Sequence, residues 1–267
     1  MLLLKIGGGK HINLDYICQD VASLVSQGEQ VLVVHGASAT RDEIAQQLGV
    51  PTKTITSPSG VSSVYTDGKA MDVFLMSYAG LVNKRIVAGL AKQGVLAIGL
   101  SGVDGRLWEA KRKQVVYAVE NGKTRVIRDN LTGKVEKINT DLITLLMDSG
   151  YTPVLCPPAI SFDNEMVNTD NDFATAVIAG ALGIKKMVVL FEAPGMLENV
   201  ADERSVMKEI KKEKLGEYMQ YAVGRMKKKL LGTQNAFENG LEKMYWGDGR
   251  IKHPVLSALE GKGTIIN

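Results

Sequence analysis

Short apolar runs alternate with segments of helical periodicity along most of the chain. Residues 31–34 (Val-Leu-Val-Val) lack any polar position, as buried parallel strands do, whereas residues 14–24 place apolar side chains on one helical face after a candidate cap, Asn13. The pattern is typical of an α/β fold with a parallel sheet. It predicts further strands at the N-terminus and at 96–100, 153–156, 187–191, 243–246 and 264–266, and helices at 40–48, 67–90, 141–147, 172–182 and, as a pair, 208–229.

Two stretches depart from this alternation. Residues 111–138 contain short β-type runs separated by turn residues, among them Asn121-Gly122, which is a strong hairpin signal. We therefore expect an antiparallel β-hairpin insertion within the parallel sheet. Residues 51–66 are rich in Ser, Thr, Pro and Gly and predict a loop with little regular structure.

Composition narrows the class of protein. The 267 residues are 45% hydrophobic and 23% charged, as in globular proteins. No apolar run approaches the ~18 residues of a membrane span, so no membrane association is expected. With Cys18 and Cys156 as the only cysteines, a reducing, cytoplasmic location is expected. A net charge of +3 favours a solvated surface over nucleic-acid binding, and the three histidines lack metal-ligand spacing, so no protein-bound metal is expected.

The N-terminal strand runs into the most informative motif, Lys5 followed by three glycines at 7–9. Bare backbone N–H groups beside one fixed positive charge are a combination that phosphate groups bind. A Walker loop is excluded, because Leu4 stands where its first glycine is needed and His11 where Ser or Thr is needed. A dinucleotide fingerprint is excluded because Ile12 stands at its third glycine. The motif therefore indicates another kind of phosphate-handling loop.

A second candidate is the alternating set Asn168, Asp170 and Asp172, which directly precedes a predicted helix. Projected toward the same side, these groups could orient lysines or hold a metal-bound nucleotide. An ordinary helix cap is the alternative, and for this motif alone it is the more common one.

Two more candidates lie at a helix start and at a strand end. Residues 224–231 place three lysines at a helix N-terminus, where cations are unfavourable unless a bound polyphosphate offsets the cost; a basic solvated face would explain one or two of them. His35-Gly36-Ala37-Ser38 ends a strand at the edge where open α/β sheets bind ligands. Gly36 permits close approach of an anion, whereas the His35 imidazole is expected to be packed and hydrogen-bonded.

Taken together, these motifs resemble the amino acid kinase family over essentially the whole chain. Lys5-Ile6-Gly7-Gly8 is similar to the family's Lys-x-Gly-Gly, and residues 35–38 stand where a longer glycine run is usual. Asn168-x-Asp170-x-Asp172 is similar to its Asn-x-Asn/Asp-x-Asp, and Met226-x-x-Lys229 to its Gly-Met-x-x-Lys. Within the family the chain resembles the N-acetylglutamate kinase branch. Residues 101–113 and 132–138 are more similar still to the [LysW]-aminoadipate and [LysW]-glutamate kinases, which act on an amino acid tethered to a carrier protein.

The resemblance implies a fold, a reaction and partners. The fold would be a three-layer αβα sandwich with a mainly parallel central sheet, divided into an acid-binding lobe (1–161) and an ATP-binding lobe (162–267) that share one continuous sheet. The reaction would be phosphoryl transfer from ATP to a side-chain carboxylate, with Mg²⁺ carried on the nucleotide. The implied partners are an acidic substrate, tethered to an acidic carrier protein, and a second copy of the chain in a homodimer.

The resemblance also implies roles for individual residues. Lys5 and Lys229 would contact the transferring phosphoryl group, and Asp172 would hold both lysines in place. The phosphates would lie against Gly7, Gly8, Gly36 and Ala37, with backbone N–H groups of the last three as donors. The acid substrate would lie near Val64, Asn168 and Asp170, and the nucleotide near Glu192, Gly195 and Met226.

The chain also departs from the family pattern. Val64 stands where the family's substrate loop carries an arginine, and Ala37 interrupts the glycine run, which would cause strain if that position required a positive φ. Phe191-Glu192 replaces a Ser-Asp pair near the adenine, and Arg225 replaces a small residue. The cations that could replace the lost arginine are Arg41, Arg85, Lys111, Arg112 and Lys113.

Three hypotheses follow. The first is a kinase for carrier-linked aminoadipate or glutamate, with the basic residues 111–113 and Lys134 facing an acidic carrier. The second is an N-acetylglutamate kinase that uses a free substrate. The third, of another class, is a catalytically silent nucleotide-binding paralogue; Val64 and Ala37 favour it, and the joint presence of the two lysines and Asp172 opposes it.

Overall fold

The buried strands of the sequence pattern form the middle of one large sheet. The computed structural model describes residues 1–58, 60, 62–120, 122–222 and 224–267; Asn121 of the predicted turn and the side chain of Arg225 lie outside the described part. The strands are β1 Leu2–Ile6, β2 Val31–His35, β3 Lys53–Thr56, β4 Ser62–Tyr65, β5 Ala97–Gly102, β6 Trp108–Arg112, β7 Val116–Glu120, β8 Lys123–Ile127, β9 Thr132–Ile138, β10 Thr152–Ser161, β11 Met166–Thr169, β12 Lys186–Phe191, β13 Glu209–Ile210, β14 Lys243–Asp248 and β15 Thr264–Ile266.

Helices connect most of these strands and cover the sheet. They are α1 Leu14–Ser26, α2 Ser38–Gln47, α3 Gly68–Leu75, α4 Asn83–Lys92, α5 Thr140–Asp148, α6 Asn171–Ala181, α7 Arg225–Glu238 and α8 Pro254–Leu259. A π-helical segment, Met76–Val82, joins α3 to α4, and 3₁₀ segments occupy Asp104–Arg106 and Lys212–Tyr221. Asn13 caps α1 as predicted, since its side chain accepts the N–H of Tyr16.

The strand order places β1 at the centre of the sheet. The order is β11-β9-β6-β10-β2-β1-β12-β14-β15-β13, with β5 also paired to β10. β1 runs parallel to both β2 and β12, and β12 runs parallel to β14. Because parallel strands end at the same edge, the loops after β1, β2 and β12 meet there, as ligand-binding loops do in open α/β sheets.

Two apolar cores lie on opposite faces of this sheet. Leu3 of β1 faces one core, which α5, α6 and α7 cover. Leu2 and Leu4 face the other, which α1, α3, α4 and α8 cover. This alternation along a strand buried on both faces produces the three layers, and the predicted αβα sandwich is confirmed.

The predicted hairpin insertion is confirmed: β7 pairs antiparallel with β8 and stands apart from the main sheet. Two predictions were wrong. The stretch expected to be an irregular loop, 51–66, contains the antiparallel pair β3–β4. The expected helical pair at 208–229 consists instead of β13, the 3₁₀ segment and the start of α7. The sequence analysis also missed β6, β11 and α8.

The segment from α3 through α4 is one continuous helix, Gly68–Lys92. Asp67 caps it as predicted, accepting the N–H of Ala70 at 2.9 Å. By length and composition alone this 25-residue helix could cross a membrane, since its most apolar 18-residue window has a mean hydropathy of 1.2. Core helices have the same property, and 44% of that window is buried inside the protein. The absence of a membrane partner therefore stays a prediction.

The predicted division into lobes at residue 162 also stays a prediction. The sheet continues across that point, because β10 ends at Ser161 and pairs with β11 immediately beyond it.

Candidate active site

Lys5, Asp172 and Lys229 come together at the carboxyl end of β1. Oδ1 of Asp172 lies 2.5 Å from Nζ of Lys5 and 3.8 Å from Nζ of Lys229. Lys5 is 4% exposed, and the Lys229 side chain is 15% exposed. One half-buried carboxylate thus holds two ammonium groups, and the three side chains together retain one net positive charge for an anion. The structure thus brings together the three residues that the distant motifs named, and their catalytic roles stay predictions.

The starts of two helices position this cluster. Asp170 is the cap of α6, because its Oδ1 accepts the N–H groups of Asp172 at 3.0 Å and Phe173 at 3.2 Å. Helix α7 packs against this first turn at Gly232, where an added Cβ would lie 2.9 Å from Cβ of Asp172. The missing side chain allows the close approach that brings Lys229, one turn earlier, to the carboxylate.

The capping role bears on what was predicted for Asp170. Asp170 was expected to bind the acid substrate, with a helix cap as the alternative. Its half-buried carboxylate is engaged through Oδ1 by backbone N–H groups of α6, so the structure supports the cap, and the contact with the acid substrate stays a prediction.

Neighbouring charges set the protonation of the cluster. Burial alone would raise the pKa of Asp172, but Lys229 and Lys5 hold it well below its usual value, so the carboxylate is ionised. Burial opposes the charge of Lys5, yet Asp172 raises the pKa of this lysine above its usual value. Burial lowers the pKa of Lys229 to about 8, and repulsion from Lys5 adds to this effect against the attraction of Asp172. Lys229 is therefore the lysine nearer to losing its charge at physiological pH.

The glycine loop after β1 packs directly against the loop after β2. A Cβ on Gly8 would lie 2.4 Å from the amide nitrogen of Ser38 and 2.6 Å from that of Ala37, so only glycine fits. Oγ of Ser38 and the N–H of Ala39 both donate to the carbonyl of Gly8, at 2.9 and 2.8 Å. The two motifs thus form one backbone surface beside Lys5, at the N-terminus of α2, where phosphate binding is favourable.

One of the predicted phosphate contacts needs correction, and Gly7 has no free amide to add. The N–H of Gly36 donates to the carbonyl of Ile6 at 2.9 Å, and that of Gly7 donates to the carbonyl of Leu190 at 2.8 Å. Both amides are therefore engaged within the sheet, and the prediction that the Gly36 amide cradles phosphate is wrong. Ala37 has φ −150°, so replacing glycine there introduces no left-handed strain.

His35 is packed, as expected. It is fully buried, and burial lowers its pKa to about 4, so the ring is neutral. Its Nε2 lies 3.2 Å from Nδ2 of Asn83, which also donates to the carbonyl of Val154 at 2.9 Å. The imidazole therefore supports the strand end and has no exposed proton to transfer.

The predicted acid-binding residues meet through Thr66. Nδ2 of Asn168, on β11, donates to Oγ1 of Thr66 at 3.0 Å, and Thr66 Oγ1 donates to the carbonyl of Val64 at 3.4 Å. Oδ1 of Asn130 accepts the N–H of Thr66 at 2.9 Å. Sequence reasoning missed Thr66 and Asn130. The only sequence signal for Thr66 was its place directly before the Asp67 cap, and none pointed to Asn130.

The residues predicted near the nucleotide have separate neighbours. Oε1 of Glu192 accepts the N–H of His11 at 2.6 Å, and a Cβ on Gly9 would lie 2.2 Å from the Glu192 carboxylate. Gly195 packs against Thr264, where a Cβ would meet Oγ1 at 2.4 Å. Met226 packs against the core that α7 covers. The structure does not bring these three together, and their nucleotide contacts stay predictions.

Phe191 adds a contact that sequence reasoning did not assign. Its ring centroid lies 5.2 Å from Nζ of Lys229, within reach of a cation–π interaction. Phe191 also packs edge-on to Trp246, with ring centroids 5.6 Å apart. The ring therefore contacts the lysine without adding a negative charge.

The fit of a divalent metal can be judged from the carboxylates. Oδ1 of Asp172 contacts two lysines, and Oδ1 of Asp170 caps α6. Within the described ranges, no group of three His, Cys, Asp or Glu side chains could hold a metal ion. These residues suit an ion that arrives with its own phosphate ligands better than a permanent protein cage.

Two lysines fixed by one carboxylate, beside paired backbone loops at the edge of a parallel sheet, define a phosphotransferase site that acts through position and charge.

The chain belongs to the amino acid kinase family, whose family model matches residues 1–245. It is 44% identical to the [LysW]-aminoadipate kinase of Thermus thermophilus over 268 residues, covering 100% of both chains. It is 34% identical to the [LysW]-aminoadipate/[LysW]-glutamate kinase of Saccharolobus islandicus, covering 100% of this chain and 99% of the other. Carbamate kinase of Giardia shares the fold, with a TM-score of 0.68 at 14% identity over 99% of this chain and 97% of the other.

Proposed function

We propose that this chain is an ATP-dependent kinase that phosphorylates the side-chain carboxylate of aminoadipate or glutamate linked to a carrier protein, within lysine or arginine biosynthesis. The observation that carries the proposal is Asp172 holding Lys5 and Lys229 beside the glycine loops. The full-length identity of 44% to a [LysW]-aminoadipate kinase supports this class of substrate.

The chemistry needs little from the protein besides position and charge. A carboxylate is already ionised at neutral pH, so it attacks without a general base. One of its oxygens forms a bond to the γ-phosphorus, the bond to the β–γ bridging oxygen breaks, and ADP leaves with that electron pair. The products are an acyl phosphate and ADP. Catalysis then consists of bringing two anions together and neutralising the charge on the moving group.

Each part of the cluster has a place in this reaction. Lys5 and Lys229 neutralise the phosphoryl oxygens, and Asp172 keeps the two ammonium groups from separating under mutual repulsion. The N-terminus of α2 and the Gly8 backbone face the phosphates. Mg²⁺, bound through the phosphates of ATP, supplies further charge neutralisation.

The carrier hypothesis also has support on the protein surface. Lys111, Lys113 and Lys134 are exposed, so they are accessible to an acidic partner. Arg112 lies among them but is bonded to Glu165 and to the carbonyl of Arg128, so it is not part of that surface charge. A homodimer and a cytoplasmic location complete the proposal by analogy with the family.

Trapping the acyl phosphate with hydroxylamine tests the proposal. The purified chain is incubated with ATP, Mg²⁺ and one of three acceptors: aminoadipate-loaded carrier, glutamate-loaded carrier or free N-acetylglutamate. We expect hydroxamate with a loaded carrier only. Asp172→Asn should lower the rate by at least ~100-fold, judged from the loss of one preorganised charge contact. Lys227→Gln, which changes an exposed lysine on α7, the helix of Lys229, should retain normal activity.

The other outcomes are equally informative. Hydroxamate with the free acid would show a small-substrate kinase and contradict the carrier requirement. If ATP binds but no acceptor yields hydroxamate, the silent-paralogue hypothesis replaces the proposal.

A further inference from the structure

The position that lacks the family's arginine borders a narrow cavity. Val64 lies on β4, paired with Thr54 of β3, and lines this cavity together with Thr66 and Arg41. Thr66 leads from the cavity to Asn168 through the hydrogen bond already described. A valine at this position supplies no positive charge for an acid substrate. Among the side chains that line the same cavity, Arg41 is the cation.

Arg41 is a buried and oriented cation in that cavity. It lies in the first turns of α2, and its side chain is only 9% exposed. Nε and Nη2 both donate to Oδ1 of Asp42, at 3.1 and 2.8 Å. Oγ1 of Thr52 donates to the same oxygen at 2.7 Å and so steadies the acceptor. In the part of the chain that the structure describes, Nη1 has no hydrogen-bond partner, so donors remain for a ligand.

Tyr78 is a buried residue within electrostatic range of both Arg41 and Lys5. The residue lies on the π-helical segment, a geometry often found at functional sites, and its ring stacks on Phe74 with centroids 4.0 Å apart. Burial raises the pKa of Tyr78, and Arg41, the Ala37 amide and Lys5 oppose that rise. The charges of Arg41 and Lys5 therefore both stabilise the ionised form of this phenol.

The other cations that could replace the lost arginine are placed less well. Arg85 is exposed on α4, and Lys111 and Lys113 are exposed at the insertion. Arg112 is bonded to Glu165 and to the carbonyl of Arg128. None of these side chains lines the cavity beside Val64.

We propose that Arg41 binds the non-reacting carboxylate of the acid substrate, so that this chain carries its substrate-binding arginine on helix α2 instead of on the loop at Val64. The inference rests on the proposed function, because it assumes an acceptor with two carboxylates. A planar guanidinium held by Asp42 presents its remaining N–H groups in the geometry that a carboxylate accepts.

The test is an exchange of the two positions. Steady-state KM values for the aminoadipate-loaded carrier and for ATP are measured for wild type, Arg41→Met, Val64→Arg and the double variant. Arg41→Met should raise the KM for the acceptor about 10- to 100-fold and leave the KM for ATP unchanged, as expected for loss of a charged hydrogen bond. Adding Val64→Arg should restore the acceptor KM to within a few-fold of wild type. Arg85→Met serves as the matched control and should change neither value.

A second readout is independent of catalysis. N-acetyl-2-aminoadipate, a small probe with both carboxylates, should raise the melting temperature of wild type and of the double variant but not of Arg41→Met. ATP should stabilise all variants alike, which shows that each one folds.

The outcomes separate this inference from the proposed function. An active wild type whose Arg41→Met variant keeps its acceptor KM would overturn the arginine assignment alone. An equal rise in both KM values, or no rescue by Val64→Arg, would reduce Arg41 to a structural role. If no acceptor is phosphorylated but the probe stabilises the protein through Arg41, the assignment stands and the proposed activity fails. Neither activity nor stabilisation by the probe would overturn both.

Discussion

Replacing Lys229 by arginine tests whether a single ammonium group sets the alkaline limit of phosphoryl transfer. Burial, together with repulsion from Lys5, lowers the pKa of Lys229 from 10.5 to about 8. This change corresponds to about 3 kcal/mol favouring the neutral amine, even with Asp172 nearby. The charge that the reaction needs is therefore present below about pH 8 and is lost as the pH rises through that value.

The expected magnitude follows from simple titration. At pH 9 roughly a tenth of Lys229 would keep its proton, so kcat/KM for ATP should fall about tenfold from its value at pH 7.5. Bound ATP brings negative charge to the ammonium group and raises its pKa. The decline in kcat should therefore begin at higher pH than the decline in kcat/KM. In Lys229→Arg the charge no longer titrates, so the profile should stay flat to pH 9.5 at a reduced rate.

The assay is ADP release, followed at constant ionic strength between pH 6.5 and 9.5 with a saturating acceptor. Lys227→Arg, an exchange at an exposed lysine of the same helix, should reproduce the wild-type profile. Two results would refute the reasoning: a wild-type kcat/KM that is flat to pH 9.5, or an unchanged alkaline limb in an active Lys229→Arg variant. The groups that face Lys229 and could shift the limb are Lys5, Asp172 and Asp170.

Three further predictions concern the loops and the stability of the fold. Gly8→Ala should raise the KM for ATP at least ~10-fold, because a Cβ there meets backbone at 2.4 Å; Gly216→Ala, which meets nothing within 4 Å, should be neutral in the same assay. Asp20→Ala should lower the free energy of unfolding by ~1–3 kcal/mol in urea titrations, since this buried carboxylate accepts two N–H groups at the start of α8, while activity below the transition stays normal. Glu192→Gln should lower the KM for ATP by roughly two- to fivefold at low salt, because an exposed carboxylate no longer faces the glycine loop, and the difference should vanish at high salt.

The catalytic cluster was predictable from sequence because each member lies in a short motif on a regular element. Lys5 ends an apolar strand, Asp172 starts a helix of small residues, and Lys229 follows a glycine that opens α7. Lys5 lies near the carboxyl end of β1, whereas Asp172 and Lys229 lie in the first turns of α6 and α7, so strand order alone does not bring them together. Their grouping was expected from the resemblance to the amino acid kinase family. The predicted central strands agree with the structure because their burial on both faces leaves an unmistakable apolar run.

The structure around the proposed acid-binding residues was not predictable from the sequence in the same way. β3 and β4 are partly exposed and rich in Ser and Thr, so they lack the alternation that reveals a strand and were predicted as a loop. The Arg41 guanidinium is held by Asp42, whose carboxylate oxygen also accepts a hydrogen bond from Thr52. Thr52 lies outside helix α2, and helical periodicity does not reveal such contacts. Asp170 caps α6, whereas Asp172 lies in its first turn and contacts the lysines. The sequence does not show which of these two neighbouring carboxylates takes which role, because that depends on the residue at which the helix begins.

The central position of β1 has a consequence for how the protein is made. This strand is synthesised long before its parallel partner on one side, β12, which pairs Lys186 with Leu2. The middle of the sheet therefore stays open until most of the chain has been synthesised, and contacts of such long sequence separation form slowly. Until β12 is present, one edge of β1 has no partner strand. Lys5 can contact Asp172 only once residue 172 has been synthesised, and Lys229 joins the cluster later still. Nascent chains that end before β12 should accordingly depend on chaperones that shield apolar strands, and the central sheet should be completed only after β12 has been synthesised.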